Sequence, residues 1–188
     1  MSDELRGRVA IVTGATRRRG LGRAIALCLA RAGADVVVSG SGALKPPAAL
    51  PADERDGGWR GLPAVVDELR ALGVRAHGVA ADVAQAAEVE RLVEETVRVM
   101  GRIDILVNNA AYPRGGDRVP LDALDDALWR RIIDTNLTGT MLCCKYAARQ
   151  MRRQGGGGSI VSISSGAALK APATFSAYAA SKAGVHAL

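Results

Sequence analysis

Aromatic side chains are scarce in this sequence of 188 residues, at 3% of the total, and Phe occurs once. With hydrophobic residues at 48%, one core of ordinary size must then be built from Ala, Val, Leu and Ile. Cysteine is also sparse. Cys28, Cys143 and Cys144 form no C-x-x-C pair, and adjacent Cys143 and Cys144 are poorly placed to bridge each other. This excludes a disulfide scaffold and fits free thiols in a reducing cytoplasm. The two histidines, His77 and His186, lie far apart without acidic or Cys neighbours at ligand spacing, so no metal is expected. No apolar run approaches the roughly 18–20 residues that span a bilayer. The opening Met-Ser-Asp-Glu-Leu-Arg-Gly-Arg carries no apolar stretch of a secretory leader. A cytoplasmic protein without membrane contact is the expectation. Charge is in excess on one side, with 25 Lys and Arg against 19 Asp and Glu. The basic residues are scattered, apart from Arg17–Arg19 and Arg152–Arg153, and no aromatic platform accompanies either cluster. They read as a solvated surface, and nucleic acid is not expected as a partner.

What is present is a rhythm. Short β-branched runs at Val9–Thr13, Asp35–Ser39, Val74–Val79, Ile103–Val107 and Ser159–Ser164 alternate with segments of helical period. Those segments cover Leu21–Ala32, Pro63–Leu72, Glu88–Met100, a long stretch from about Asp126 to Gln154, and a last helix from Ser176. Gly33, Gly73, Gly101 and Gly155 supply the stops. Strands apolar on both faces, each followed by a helix, predict right-handed β-α-β units on a doubly wound parallel sheet. Ligands are then expected at the carboxyl ends of the strands. One domain is predicted over residues 1–188, interrupted at 40–61 by an insertion that is rich in proline, lacks periodicity and carries Trp59. Its default reading is a surface loop.

The first strand runs into Thr13-Gly14-Ala15-Thr16-Arg17-Arg18-Arg19-Gly20-Leu21-Gly22. Gly14 permits a tight turn, and Gly20 and Gly22 let backbone approach a diphosphate at the positive end of a helix. The second strand ends at Ser39-Gly40-Ser41, without the acid that binds a free ribose 2′-hydroxyl. Together with Arg17–Arg19 this favours a 2′-phosphate, hence NADP over NAD. Asp82 and Val83 follow the third strand and Asn108-Asn109-Ala110-Ala111 the fourth, on the rim where an adenosine would rest. Polar groups there serve either a ligand or local loop capping.

Tyr178 and Lys182 stand at i and i+4 on one helix and share a face. A neighbouring ammonium favours phenolate over phenol, which suits a tyrosine that must trade a proton near neutral pH. Ser165, 13 residues before Tyr178 and just past the fifth strand, offers a hydroxyl to a carbonyl or alcohol oxygen beside the phenol.

In this combination the sequence resembles the short-chain dehydrogenase/reductase family of the single-domain type, over Val9 to Leu188. The resemblance implies a three-layer α/β/α Rossmann fold and an NAD(P)-dependent oxidoreductase acting on a carbonyl/secondary alcohol pair, 3-oxoacyl reduction being one candidate subclass. It implies Tyr178 as acid/base, Ser165 as the oxygen-binding hydroxyl, and Lys182 on the nicotinamide ribose. Asn136 would anchor a water linking Lys182 to solvent. The cofactor would be held by Gly14, Thr16, Arg17, Arg18, Arg19, Gly20, Leu21, Gly22 and Ser39 at the diphosphate and adenosine ribose. Asp82 and Val83 would contact adenine, and Asn109 and Ala110 would pack on the adenosine half. It further implies pairing into a homodimer or homotetramer through the helices near 126–154 and from Ser176.

Three departures accompany the resemblance. Ala15–Arg19 places five residues between the first two glycines, where the family usually has three. Ala111 stands where the family usually has Gly. The chain also ends within the helix bearing Tyr178, so the domain is expected to be incomplete at its C-terminal end. A dinucleotide-binding or assembly module without turnover is therefore the alternative function. Cys143, Cys144 and Trp129 read as packing residues.

Overall fold

The β-branched runs fall on strands, and the glycine stops fall just past helix ends. In the computed structural model, which describes residues 3–41, 58–112 and 116–188, β1 (Val9–Thr13) and β2 (Asp35–Ser39) have the expected bounds. β3 (Ala76–Val79) begins later than Val74, and β4 (Ile105–Asn108) is displaced toward the rim. The reason lies in Asp104, whose carboxylate accepts from the Val9 amide at 2.9 Å and from Arg102 at 2.7 and 2.8 Å. Arg8 adds a bond at 3.1 Å. Ile103 and Asp104 thus form a buried anchor at the start of β4, where the Asp104 amide donates to the Val9 carbonyl and its carbonyl accepts from the Ser159 amide, both at 2.8 Å. β5 (Ser159–Ser162) stops before Ile163.

The strands form one parallel sheet in the order β3-β2-β1-β4-β5. Thr13 pairs with Ser39 and Ser39 with Val79, while Asn108 lies opposite Ser162, so the carboxyl ends line up on one rim. The order reverses between β1 and β4, which makes that boundary the topological switch point.

Helices α1 (Leu21–Arg31), α2 (Leu62–Arg70), α3 (Ala86–Met100), α4 (Asp126–Ile133), α5 (Gly139–Arg153) and α6 (Ser176–Ala187) complete the layers. Alternation along the strands divides the core. Val9, Ile11, Val37 and Leu106 meet Leu92 of α3 and Leu142 and Ala147 of α5 on one face. Val12, Val36, Val38 and Val107 meet Ala26 and Ala30 of α1 and Val65 and Leu69 of α2 on the other. Small alanines on α1 let that helix approach closely, and each fully buried Val, Ile or Leu contributes about 1.5–3 kcal/mol. Replacing Ile11, fully buried at the centre of β1, by Ala removes about 2–5 kcal/mol of stability.

Two features refine the expectations. The expected helical stretch runs from Asp126 to Arg153 and contains a π-helical turn at Asp134–Thr138 that divides it into α4 and α5. There the Thr140 hydroxyl donates to the Asn136 carbonyl at 2.7 Å, and Asn136 is brought inside, fully buried. Such single π turns are frequent at functional sites. Secondly, β5 is not covered on both faces. Ile160 and Val161 are 38% and 47% exposed, since β5 is the edge of the sheet among the described residues. Most of the 40–61 insertion lies outside the described residues, while Trp59 lies within them.

Candidate active site

The turn after β1 is fastened from several sides. The Ala15 amide donates to the Ser39 carbonyl at 3.0 Å. The Asn109 side-chain amide donates to the Thr13 and Gly14 carbonyls at 2.9 and 3.0 Å. In return, the Thr13 hydroxyl accepts from the Asn109 and Ala110 amides, both at 3.1 Å. A Cβ on Gly22 would sit 2.5 Å from the Asn109 amide nitrogen and 2.7 Å from the Gly14 carbonyl oxygen. Gly14, at φ +69°, would place a Cβ 2.7 Å from the Ala110 Cα. These two glycines therefore let the turn pack against the end of β4, a requirement that exists before any ligand arrives.

Gly20 precedes α1, which has no side-chain cap and no acidic residue in its first turn. An uncapped helix start of this kind offers backbone N–H groups and a positive dipole end to an anion. Arg17, Arg18, Arg19 and Leu21 are exposed around it, and Thr16 is half-buried. At the end of β2, Ser39 is fully buried and its Oγ has no hydrogen-bond partner in the described structure.

Further along the rim, Asp82 caps its own loop, its Oδ1 accepting from the Ala84 amide at 3.0 Å. Val83 is buried, packs into the core, and lies where a Cβ on Gly139 would meet its Cγ2 at 2.7 Å. Asn108 donates to the Ser162 hydroxyl at 3.1 Å and to the Cys144 sulfur at 3.2 Å, tying the ends of β4 and β5 together.

Tyr178 and Lys182 lie on successive turns of α6. Lys182 is 4% exposed, its Nζ lies 5.9 Å from the centre of the Tyr178 ring, and it donates to the Ile163 carbonyl at 2.7 Å. The Ser164 hydroxyl donates to the Lys182 carbonyl at 3.1 Å, so the segment after β5 and α6 are joined twice. Ser165 opens the short helical turn Gly166–Ala168, its Oγ accepting from the Ala167 amide at 3.2 Å. That bond leaves the hydroxyl hydrogen as a donor, and the turn packs on α6.

Asn136 connects three segments. Its Oδ1 accepts from the Tyr112 amide at 2.8 Å, its Nδ2 donates to the Ser181 hydroxyl at 2.9 Å, and Ser181 donates to the Tyr178 carbonyl at 2.7 Å. Through this chain, the loop after β4 and the π turn set the position of the helix that carries Tyr178. Sequence reasoning missed Ser181 and Thr13, because their partners are distant in sequence and no periodic signal marks them. It missed Trp59 and Arg23 at the glycine turn for the same reason.

His77 stands 2.7 Å from Glu95, an acidic neighbour in space that sequence spacing does not reveal. Among the described residues no group of three His, Cys, Asp or Glu could hold a metal, and no helix is long and apolar enough to cross a membrane. Cys143 is buried and its thiol is pushed up to about 12, chiefly by desolvation. Trp129 is half-buried on α4.

Known proteins resemble this chain in sequence and in fold. Residues 8–188 match the family model described as short chain dehydrogenase. Short chain dehydrogenase/reductase astE of Aspergillus oryzae is 39% identical over 182 residues, which cover 96% of this chain and 62% of the relative. The 3-oxoacyl-acyl-carrier-protein reductase FabG of Staphylococcus aureus is 38% identical over 176 residues, covering 94% and 63%. The crystal structure of a short chain dehydrogenase from Mycobacterium smegmatis has a TM-score of 0.84 at 34% identity, covering 98% of this chain and 69% of its own. NAD+-bound xylitol dehydrogenase follows at a TM-score of 0.82 and 30% identity, covering 98% and 63%. The chain spans less than two thirds of the length of these two curated relatives. With its parallel sheet, its glycine turn at the switch point and its Tyr178–Lys182 pair on one rim, the chain belongs to the short chain dehydrogenase family.

Proposed function

We propose that this chain is the dinucleotide-binding part of an oxidoreductase that uses NADP(H) to interconvert a carbonyl and a secondary alcohol. The observation that carries the reading is the buried Lys182 ammonium beside the Tyr178 ring, on the same rim as the uncapped start of α1. The bound nicotinamide would supply or accept the hydride. Gly20, Leu21 and Gly22 would present backbone N–H groups to the diphosphate. Gly14, Thr16 and Asn109 would shape the turn, with Asp82, Val83 and Ala110 beside the adenosine.

The orphaned Ser39 hydroxyl is the kind of group a ribose substituent satisfies. No acid stands at the end of β2, and Arg17, Arg18 and Arg19 are exposed around the turn. Both features support a 2′-phosphate and thus NADP, with NAD as the alternative.

In reduction, the Tyr178 hydroxyl donates its proton to the substrate oxygen while the Ser165 hydroxyl holds that oxygen in place. The positive charge of Lys182 stabilises the phenolate left behind. Asn136 positions α6 through Ser181 and would hold the water by which the proton is replaced. In oxidation the phenolate takes the proton back. A 3-oxoacyl substrate suits the likeness to FabG. We assign the protein to the cytoplasm, consistent with three free cysteines, and to homodimers or homotetramers formed through the stretch from α4 to α5 and through α6.

A second reading, a dinucleotide-binding or assembly module without turnover, rests on the uncovered edge at Ile160 and Val161. Tyr178→Phe separates the two. In an NADPH-dependent carbonyl reduction assay it lowers kcat by roughly 10²–10⁴-fold while leaving NADPH affinity nearly intact. Undiminished turnover by the variant rules out Tyr178 as the acid/base, and absence of turnover in the unmodified chain favours the module.

A further inference from the structure

The turn from Gly14 to Gly20 contains the five residues Ala15–Arg19, each with a backbone carbonyl. Anion sites in such turns depend on N–H groups facing the ligand, and a carbonyl aimed the same way opposes binding. Two of these carbonyls are occupied by donors from outside the turn. The Trp59 indole Nε1 donates to the Thr16 carbonyl at 2.7 Å. The Arg23 guanidinium donates to the Arg18 carbonyl at 3.0 Å.

The two donors also hold each other. The Arg23 guanidinium lies 5.6 Å from the centre of the Trp59 ring, within cation–π range. Its other edge is gripped by Glu68 of α2, at 2.6 Å from Nε and 2.8 Å from a terminal nitrogen. Glu68, Arg23 and Trp59 thus form a clasp on the α2 side of the turn. Thr16 is backed by the end of β2 as well, since a Cβ on Gly40 would meet its methyl carbon at 2.7 Å.

We propose that Trp59 and Arg23 are positioning residues for the dinucleotide: they draw the Thr16 and Arg18 carbonyls toward α2 and leave the N–H groups of the turn and of α1 to face the diphosphate. The inference rests on the dinucleotide reading of the site and explains how a turn two residues longer than the family's usual three is kept in a binding shape. It also gives the end of the 40–61 insertion a function, as the source of Trp59. Arg23, engaged by Glu68 and by the Arg18 carbonyl, is then committed to the turn.

The test is calorimetric titration of the chain, Trp59→Phe and Arg23→Lys with NADPH and with NADH at 25 °C, beside thermal melts. Trp59→Phe keeps a ring under Arg23 and removes only the N–H donor. Arg23→Lys keeps a cation opposite Glu68 and cannot serve Glu68 and the Arg18 carbonyl together. Each variant is expected to weaken both nucleotides by the same factor, roughly five- to tenfold, the worth of one lost hydrogen bond. In turnover the change appears in KM for the nucleotide, with kcat retained. Unchanged affinities in folded variants, even with lowered melting temperatures, overturn the inference and reduce the clasp to packing. Should Trp59→Phe fail to fold, Arg23→Lys carries the same decision. An unmodified chain that binds neither nucleotide overturns the dinucleotide reading itself, and the inference with it.

Discussion

Thr13 and Asn109 hold each other across the boundary between β1 and β4: the Thr13 hydroxyl accepts from the Asn109 amide at 3.1 Å, and the Asn109 side chain donates to the Thr13 carbonyl at 2.9 Å. This boundary is where the strand order reverses, and it is also where the glycine turn begins. Thr13 itself is 1% exposed. Removing the hydroxyl by Thr13→Val strands the Asn109 and Ala110 amides at a cost of about 1–3 kcal/mol each at most. The variant is expected to melt several degrees lower and to bind dinucleotide more weakly, whereas Thr13→Ser keeps both properties. Paired thermal melts and nucleotide titrations of the two variants check this.

Asp104 anchors the opposite end of the sheet. Its desolvation raises the pKa, but the bonds from Arg102, Val9 and Arg8 outweigh this and hold the carboxyl below its ordinary value. The unfolded chain therefore binds more protons than the folded one at low pH, and stability rises with pH through that window. The contribution is complete above the ordinary carboxylate pKa of about 3.9 and is lost as the pH falls through the lower, folded value. Asp104→Asn is expected to lose roughly 2–3 kcal/mol near neutral pH, as for hydrogen bonds to a charged group. Its deficit should shrink on acidification. Urea unfolding of both proteins between pH 3 and pH 7 measures the difference, and a deficit independent of pH contradicts the assignment.

The cysteines should differ sharply in reactivity. Cys28 is exposed on α1, while Cys143 is buried with its thiol pushed up to about 12. Only the thiolate attacks, so a thiol reagent at pH 8 is expected to label Cys28 quickly and Cys143 only after unfolding. Mass spectrometry of labelled peptides reads the order directly. Early labelling of Cys143 would show that α5 does not pack as described.

Much of this molecule is legible in its sequence because the decisive signals are local. Val9–Thr13 is apolar up to its final Thr and Asp35–Ser39 carries Val-Val-Val at its centre, as buried parallel strands require, and their bounds are readable to the residue. Tyr178 and Lys182 are four apart, so a helix alone brings them together. The less legible features depend on contacts between distant segments. Asn109 is expected to pack on the adenosine half, and its side chain also donates to the Thr13 and Gly14 carbonyls, a fastening between distant segments that the sequence does not mark. Trp59 lies in a stretch without periodicity, and nothing nearby in sequence announces its bond to Thr16. The π turn at Asp134–Thr138 is not marked locally, because the bonds that hold its Asn136 run to Tyr112 and Ser181 on other segments. The exposure of β5 was hidden by its Ile-Val composition, since composition records what a strand can bury rather than what covers it.

The measurement that bears most directly on the central claim is a titration of the chain with NADPH and, separately, with NADH, followed by calorimetry. Saturable binding with NADPH the tighter ligand is expected from the uncapped start of α1, the absence of an acid at the end of β2 and the exposed Arg17–Arg19. Tighter binding of NADH would keep the dinucleotide site and reject the 2′-phosphate assignment. No binding of either nucleotide would contradict the reading of this rim as a dinucleotide site.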